Sequence, residues 1–251
     1  MTTPCRVIIL GATSAIAQAT ARFYAGEGAH LLLAGRNTQH LHTVAADLTG
    51  RGASAVEVEV LDLGAPTDAS AQLAVMAARL GGVDDILLAY GVLGDQTQAE
   101  RDVALARDLL AVNFTSAAQW CLAAANLLED QRRGSLVVIG SVAGDRGRQS
   151  NFIYGAAKAG LGTLVQGIAH RLALRNSGAR AVLIKPGFVD TPMTGHLPKG
   201  GPLWASADAV GAIVRKAADA GGPVIYAPFF WRFILLIIRV IPAPIFHKRP
   251  L

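Results

Sequence analysis

Tyr154 and Lys158 stand four residues apart in YGAAKAGL, a stretch otherwise made of alanine, glycine and leucine. If that stretch is helical, the two side chains lie one above the other on a single face, so a phenol and an ammonium can share one site. A free tyrosine, with a pKa of about 10, is a poor acid–base group at neutral pH; a neighbouring positive charge favours its phenolate form. The pair reads as proton-transfer machinery. Taken singly, each residue has a plainer account: a core aromatic with a wet hydroxyl, and a solvated lysine.

A second chemical feature follows the first apolar run, where GATSAIA occupies Gly11 to Ala17. In a dinucleotide-binding βαβ unit such a turn offers backbone N–H groups and a helix N-terminus to a pyrophosphate, and small residues let the backbone approach. Only Gly11 is glycine here; Ala15 and Ala17 fill the other small positions, and a tight strand-to-helix turn accounts for the pattern equally well. The second run ends LLLAGRN, where an NAD-binding fold places an acid on the ribose hydroxyls. That acid is absent. Gly35 leaves room and Arg36 brings a forked, charged donor set suited to a 2′-phosphate, so NADP(H) is favoured over NAD(H). Asp62, closing the third run, suits either an adenine amino group or a helix N-cap.

Ser141 in VVIGSVAG, 13 residues before Tyr154, and Asn113 in LLAVNFTS complete a set with Tyr154 and Lys158 that resembles the catalytic residues of the short-chain dehydrogenase/reductase family. The likeness covers nearly the whole chain: AYGVLG at 89–94 sits where the family has an Asn-Ala-Gly segment, and KPGFVDTPM at 185–193 matches its loop after strand six. The resemblance implies hydride exchange between a nicotinamide and a ketone or secondary alcohol. Hydride delivery to a ketone builds negative charge on oxygen, which needs a proton donor within about 3 Å. Tyr154 would supply that proton. Lys158 would tune it and hold the nicotinamide ribose, Ser141 would polarise the carbonyl oxygen, and Asn113 would kink its helix and hold a water linking Lys158 to solvent. The cofactor contacts implied are Gly11, Thr13, Ser14, Ala15 and Ile16 on the first turn, then Gly35 and Arg36, Asp62 and Leu63, and Gly91. Pro186, Gly187, Val189 and Thr191 follow strand six, and Tyr154 and Lys158 contribute from the catalytic side. The chain departs from the family at Ala15 and Ala17, which replace glycines, at Ser14, where NADP-dependent members often carry a second basic residue, and at Tyr90, which replaces a small one.

Positioning these residues falls to seven short β-rich runs: Arg6 to Leu10, His30 to Ala34, Ala55 to Leu61, Asp85 to Ala89, Ser135 to Gly140, Ala179 to Ile184 and Pro223 to Ala227. Between them lie helical segments at Ile16 to Glu27, Thr38 to Thr49, Asp68 to Leu80, Ala99 to Asp130, Phe152 to Asn176 and Ser206 to Ala220. The alternation predicts a single-domain, doubly wound (Rossmann-like) α/β fold, a parallel sheet of about seven strands with helices on both faces. Residues 1–228 read as a dinucleotide-binding catalytic domain and 229–251 as an apolar tail.

Hydrophobic residues make up 52% of the chain and charged ones 16%, against a usual charged share of about a quarter, so some apolar surplus must face something other than water. The formal charge is +5, but no basic run with interleaved aromatics is present; nucleic acid is not expected, and an anionic substrate or membrane surface fits the charge as well. Cys5 and Cys121 sit in apolar settings without ligand-like neighbours, which points to a reducing compartment with neither disulfide nor metal. The opening MTTPCRVIIL has no secretory pattern, so a cytoplasmic location is expected. The loop DTPMTGHLPKGGPLWAS reads as a lid that either has His196 and Trp204 lining it or leaves His196 simply solvated, the commoner state of a lone loop histidine. Arg146 and Arg148, in GDRGRQSN, either meet a phosphate near the carbonyl site or merely solubilise a loop.

In the tail, Trp231 to Ile241 predicts a helix with Arg232 and Arg239 on one stripe, too short for a bilayer span of about 20 residues. It either lies in the inner membrane face with its arginines snorkelling, aided by Lys248 and Arg249, or packs between the subunits of an expected homo-oligomer. The tail, AYGVLGDQ and GDRGRQSN together resemble a branch that includes the reductase subunit of the decaprenylphosphoryl-ribose 2′-epimerase system, implying a lipid-linked or amphiphilic keto-sugar substrate. A competing reading is a non-catalytic NADP(H) sensor recruited by its tail, which would have no need of an acid–base set.

Overall fold

The computed structural model describes residues 4–248, so Arg249 lies outside the described residues. The chain runs through β1 (Arg6–Leu10), α1 (Ala15–Gly26), β2 (His30–Gly35), α2 (Thr38–Gly50), β3 (Ala55–Val60), α3 (Ala69–Arg79) and β4 (Asp85–Leu88). There follow α4 (Gln96–Ala99), α5 (Val103–Leu110), α6 (Ala117–Gln131), β5 (Gly134–Ile139), α7 (Phe152–Leu174), β6 (Ala179–Pro186), β7 (Phe188–Asp190) and β8 (Trp204–Ser206). The last elements are α8 (Ala207–Ala220), β9 (Val224–Ala227), α9 (Trp231–Val240) and α10 (Ala243–Phe246).

Seven strands pair in parallel in the order β3-β2-β1-β4-β5-β6-β9. Alternate side chains of a strand point to opposite faces. Val7 and Ile9 join the layer under α1, α2 and α8, while Ile8 and Leu10 join the layer under α3, α6 and α7. Both sets are buried, which is why the central strands read as unbroken apolar runs. Edge strand β3 differs: Glu57 meets Arg79 at 2.8 Å and His30 at 3.0 Å, and charge along an edge discourages pairing with another chain. The chain winds outward from β1 to β3, then returns to β4 on the other side of β1. The crevice outside the carboxyl ends of β1 and β4, at this reversal, is where such sheets bind ligands.

Two expectations need correcting. The single helix expected over Ala99 to Asp130 is broken, because Asp102 accepts from the amides of Ala104 (2.8 Å) and Leu105 (3.3 Å) and starts α5 afresh. Short acidic side chains compete for backbone N–H groups in this way, and an alanine-rich pattern conceals it. Between α5 and α6 the helix widens to a π segment, Ala111–Ser116. The supposed lid loop also begins at the end of β7 and closes on β8, which pair with each other in parallel.

The tail docks on the sheet end. Trp231 and Leu235, one turn apart and each 4% exposed, pack with Val142, Phe188 and Tyr226. The loop after Ser141 is bolted to the same region: Asp145 accepts from Tyr226 Oη at 2.6 Å and from the Lys185 ammonium, and Arg146 donates to the Ile238 carbonyl with its guanidinium 3.7 Å over the Phe246 ring. Arg146, weighed above as a phosphate ligand, is committed to the tail instead. Among the described residues no helix is long and apolar enough to cross a membrane.

Candidate active site

α7 carries Tyr154 and Lys158, and the small residues around them have a steric reason. A Cβ on Gly155 would come 2.9 Å from the Ala143 carbonyl oxygen, and one on Gly144 would come 2.7 Å from the Ala159 amide nitrogen. The short turn Val142–Gly144 therefore lies directly on the helix and brings Ser141, whose Oγ accepts from the Ala143 amide at 3.0 Å, beside Tyr154. Lys158 is 5% exposed; its Nζ donates to the Ile139 carbonyl at 3.1 Å and lies 5.8 Å from the Tyr154 ring centre. Burial pushes Tyr154 up to about 12, opposed by the Ser141 hydroxyl. Burial also pulls Lys158 down to about 8, opposed by Cys121. Burial, rather than the neighbouring ammonium, is the largest influence on Tyr154.

Asn113 explains the π segment. Its Nδ2 donates to the Leu109 carbonyl at 2.9 Å, the acceptor a regular helix would give to the Asn113 backbone amide, so the turn widens. The same amide group donates to Val92 O at 2.8 Å and accepts from Val92 N at 3.1 Å, tying the segment after β4 to the helix. A Cβ on Gly91 would lie 2.7 Å from Asn113 Oδ1 and 3.5 Å from Lys158 Nζ, so these side chains converge behind Gly91. Tyr90, the departure from the family pattern, is a packing residue whose Oη pairs with Ser116 Oγ at 2.8 Å.

A cleft of about 760 Å³ runs over the strand reversal from Arg36 to Trp231. Every residue expected to contact a cofactor lines it, with Ser141; Asn113 lies behind. Gly11 has φ +93°, and a Cβ there would meet Tyr90 Cβ at 2.7 Å, so this tight turn requires glycine. Ser14 Oγ caps α1 by accepting from the Ala17 amide at 3.2 Å. The amides of Ala15 and Ile16, in the first helical turn, have no intrahelical acceptor and line the cleft. Arg36 is exposed and forms no salt bridge among the described residues. Asp62 Oδ1 accepts from the Gly64 amide at 2.9 Å, while Asp68 caps α3; of the two roles weighed for Asp62, capping is excluded. Donor-rich turn, helix N-terminus, elongated cleft and unpaired cation fit a nicotinamide dinucleotide, which Thr13 to Ile16 would hold at its pyrophosphate and Tyr154 and Lys158 at its reactive end.

The rim departs from expectation. His196 is exposed and outside the cleft, and Trp204 stacks on Phe188 at 5.3 Å instead of lining it; Met193, Thr194 and Leu197 form this side. Asn151, Phe188 and Trp231 also line the cleft unannounced. The spacing of Trp231 and Leu235 was the available signal for a buried face, hidden by a helix apolar nearly all round.

A crevice at a strand reversal, with a buried phenol–ammonium pair at one end and an open cation at the other, defines a nicotinamide-dependent oxidoreductase. A family model described as short chain dehydrogenase matches residues 6–200. The chain is 35% identical over 244 residues to an uncharacterized oxidoreductase of Mycobacterium tuberculosis, covering 97% of this chain and 96% of that one. It is also 35% identical over 249 residues to an uncharacterized oxidoreductase in the mprA 5′ region of Streptomyces coelicolor, covering 98% and 96%. A solved structure of a short chain dehydrogenase/reductase family protein superposes with a TM-score of 0.75 at 28% identity, covering 89% of this chain and 95% of that one. The chain belongs to the short-chain dehydrogenase/reductase family and is an NAD(P)-dependent oxidoreductase.

Proposed function

We propose that this oxidoreductase uses NADP(H) in preference to NAD(H) to reduce a ketone, or oxidise the corresponding secondary alcohol, on an amphiphilic or lipid-linked substrate of keto-sugar type, as in the epimerase-reductase branch it resembles. The observation that carries the chemistry is the juxtaposition of Ser141, Tyr154 and Lys158 at one end of the cleft. When bound, the nicotinamide supplies or accepts the hydride. Tyr154 Oη holds the proton that the substrate oxygen takes up as charge develops on it, and burial keeps that phenol protonated at neutral pH, the state reduction requires. Ser141 Oγ donates to the same oxygen. Lys158, anchored on Ile139, places positive charge beneath the site, and Asn113 holds the Gly91 segment against it. Arg36, open to solvent without a carboxylate, supports the NADP(H) preference. The exposed outer face of α9 supports peripheral contact with a membrane, and a homo-oligomer forms part of the same proposal.

Tyr154→Phe removes the proton donor alone. Against a panel of ketones followed by NADPH absorbance, it should lower turnover by about 10²–10⁴-fold, the usual worth of a positioned acid, with NADPH affinity changed far less, since Lys158 and the rest of the cleft still hold the cofactor. Near-normal turnover in that variant would overturn the mechanism.

A further inference from the structure

Of the arginines held partly out of solvent, Arg6, Arg22, Arg171 and Arg215 bond carboxylates and Arg146 bonds the Ile238 carbonyl. Arg148 differs. It lines the cleft on the loop between Ser141 and Tyr154; its carbonyl accepts from the Asn151 amide at 3.2 Å, but among the described residues its guanidinium has no hydrogen-bond or ion-pair partner. Burial pulls its guanidinium below the usual arginine value, with no compensating neighbour. The carboxylates lining the cleft are Asp62 and Asp108; the first is tied to the Gly64 amide and the second lies beside Arg107 at 3.3 Å.

Two further residues that line the cleft carry unpaired polar atoms. Trp231, 4% exposed, lines the cleft with its indole N–H buried and without an acceptor. A Cβ on Gly187 would fall 1.9 Å from that nitrogen, so glycine at 187 leaves the place the indole edge occupies. Asn151 also lines the cleft with a side-chain oxygen buried and unpaired; as an acceptor it calls for a donor on the ligand, not for charge. A buried donor without an acceptor, and a half-buried guanidinium without a counter-charge, are costly in a finished site. The ligand that satisfies them is rich in acceptors and carries negative charge, and the fork of an arginine matches a phosphate or carboxylate in shape.

We infer that Arg148 and the Trp231 indole N–H form an anion-recognition subsite beside the carbonyl position, selecting substrates that carry a phosphate ester or carboxylate, and that α9 is thereby a wall of the substrate pocket. This rests on the oxidoreductase reading above and names the charge class of its substrate. Recognition of that group fixes the orientation in which the carbonyl meets Tyr154 and Ser141.

The test uses the full chain saturated with NADP⁺, labelled with ¹⁵N-tryptophan, and titrated with phenyl phosphate, benzoate and benzyl alcohol. The Trp231 indole resonance is assigned by its loss in Trp231→Phe. Both anions, or one of them, should shift that resonance saturably, while benzyl alcohol should bind at least about tenfold more weakly; the stronger anion identifies the group. Arg148→Gln should weaken the anion by about tenfold or more, the loss of a charge-assisted hydrogen bond, while Arg148→Lys recovers part of it. Equal binding of the neutral alcohol, or anion affinity unchanged in Arg148→Gln, overturns the inference. So does a tenfold loss of NADP⁺ affinity in that variant, which would assign Arg148 to the cofactor. Cofactor binding measured on the same samples separates the two readings, because NADP⁺ that binds while the anions do not leaves the oxidoreductase assignment standing.

Discussion

Lys158 is an ammonium buried to 5% exposure with the Ile139 carbonyl as its acceptor, and burial holds it at about 8 against an ordinary 10.5. That depression corresponds to about 3 kcal/mol at most, borne by the fold at neutral pH. Lys158→Met removes it but leaves the Ile139 carbonyl unpaired at about 1–2 kcal/mol. The variant should therefore be more stable than the parent by about 1–2 kcal/mol at pH 7 while turnover is lost. The sign of the pH dependence follows. Below about 8 the penalty is fully present, and it fades as pH rises toward 10, where the folded parent has shed the proton and its unfolded chain has not. Denaturant midpoints at pH 7 and 9.5 should show the advantage shrinking; an advantage that ignores pH would mean Lys158 is not the titrating group. At the other end of the cleft, Arg36→Ala should weaken NADPH by about 1–3 kcal/mol and leave NADH nearly unchanged. Equal losses in a binding titration would show that Arg36 does not read the phosphate. Arg36 could be named as a candidate from the sequence because a missing acid at a strand end is a local signal. Arg148's isolation could not, since it depends on where every carboxylate ends up.

At the scale of elements, α9 connects the tail to the chemistry. Its buried face is Trp231 and Leu235, and its packing partner Val142 follows Ser141 directly. Leu235→Ala should cost local stability of about 2 kcal/mol, the low end for a core leucine in a small satellite cluster. Hydrogen exchange should speed up across 231–240 and leave β1 to β5 unaffected. Because Trp231 lines the cleft and is not one of the Ser141, Tyr154 and Lys158 set, KM should rise more than kcat falls. A variant with faster exchange and unchanged KM would detach α9 from substrate binding. The α5–π–α6 break is a second case where elements escape pattern reading. Helical periodicity through Ala99 to Asp130 is continuous, and only the side-chain hydrogen bonds of Asp102 and Asn113 reveal that the helix restarts and widens.

Across the whole molecule, the outer face of the tail leaves Phe233 58%, Leu236 58%, Ile237 63% and Val240 71% exposed, with Arg232 and Arg239 exposed on the same helix. A bilayer interface offers each large apolar side chain up to about 1.5–3 kcal/mol and each nearby basic residue about 1 kcal/mol on anionic lipid. Removing the tail would also remove Trp231 from the pocket, so paired surface substitutions are the cleaner probe. The full chain should float with anionic liposomes at low salt, and Phe233→Glu with Ile237→Glu should abolish flotation without changing oligomer mass or turnover of a water-soluble ketone. Flotation never seen, with mass falling in the variant, would move this face to a subunit contact. The seven strands of the main sheet, the parallel winding and the order in which the Ser141, Tyr154 and Lys158 segments reach the sheet end were determined by the sequence alone, because hydrophobic periodicity and helical spacing are short-range properties of a chain. What only the tertiary structure decided is which charges lose their partners and which apolar side chains find cover. Arg146 taken by the tail, Arg148 left open, Trp204 propping Phe188 and Trp231 drawn into the cleft all depend on contacts between segments far apart in the chain, and no local pattern encodes those.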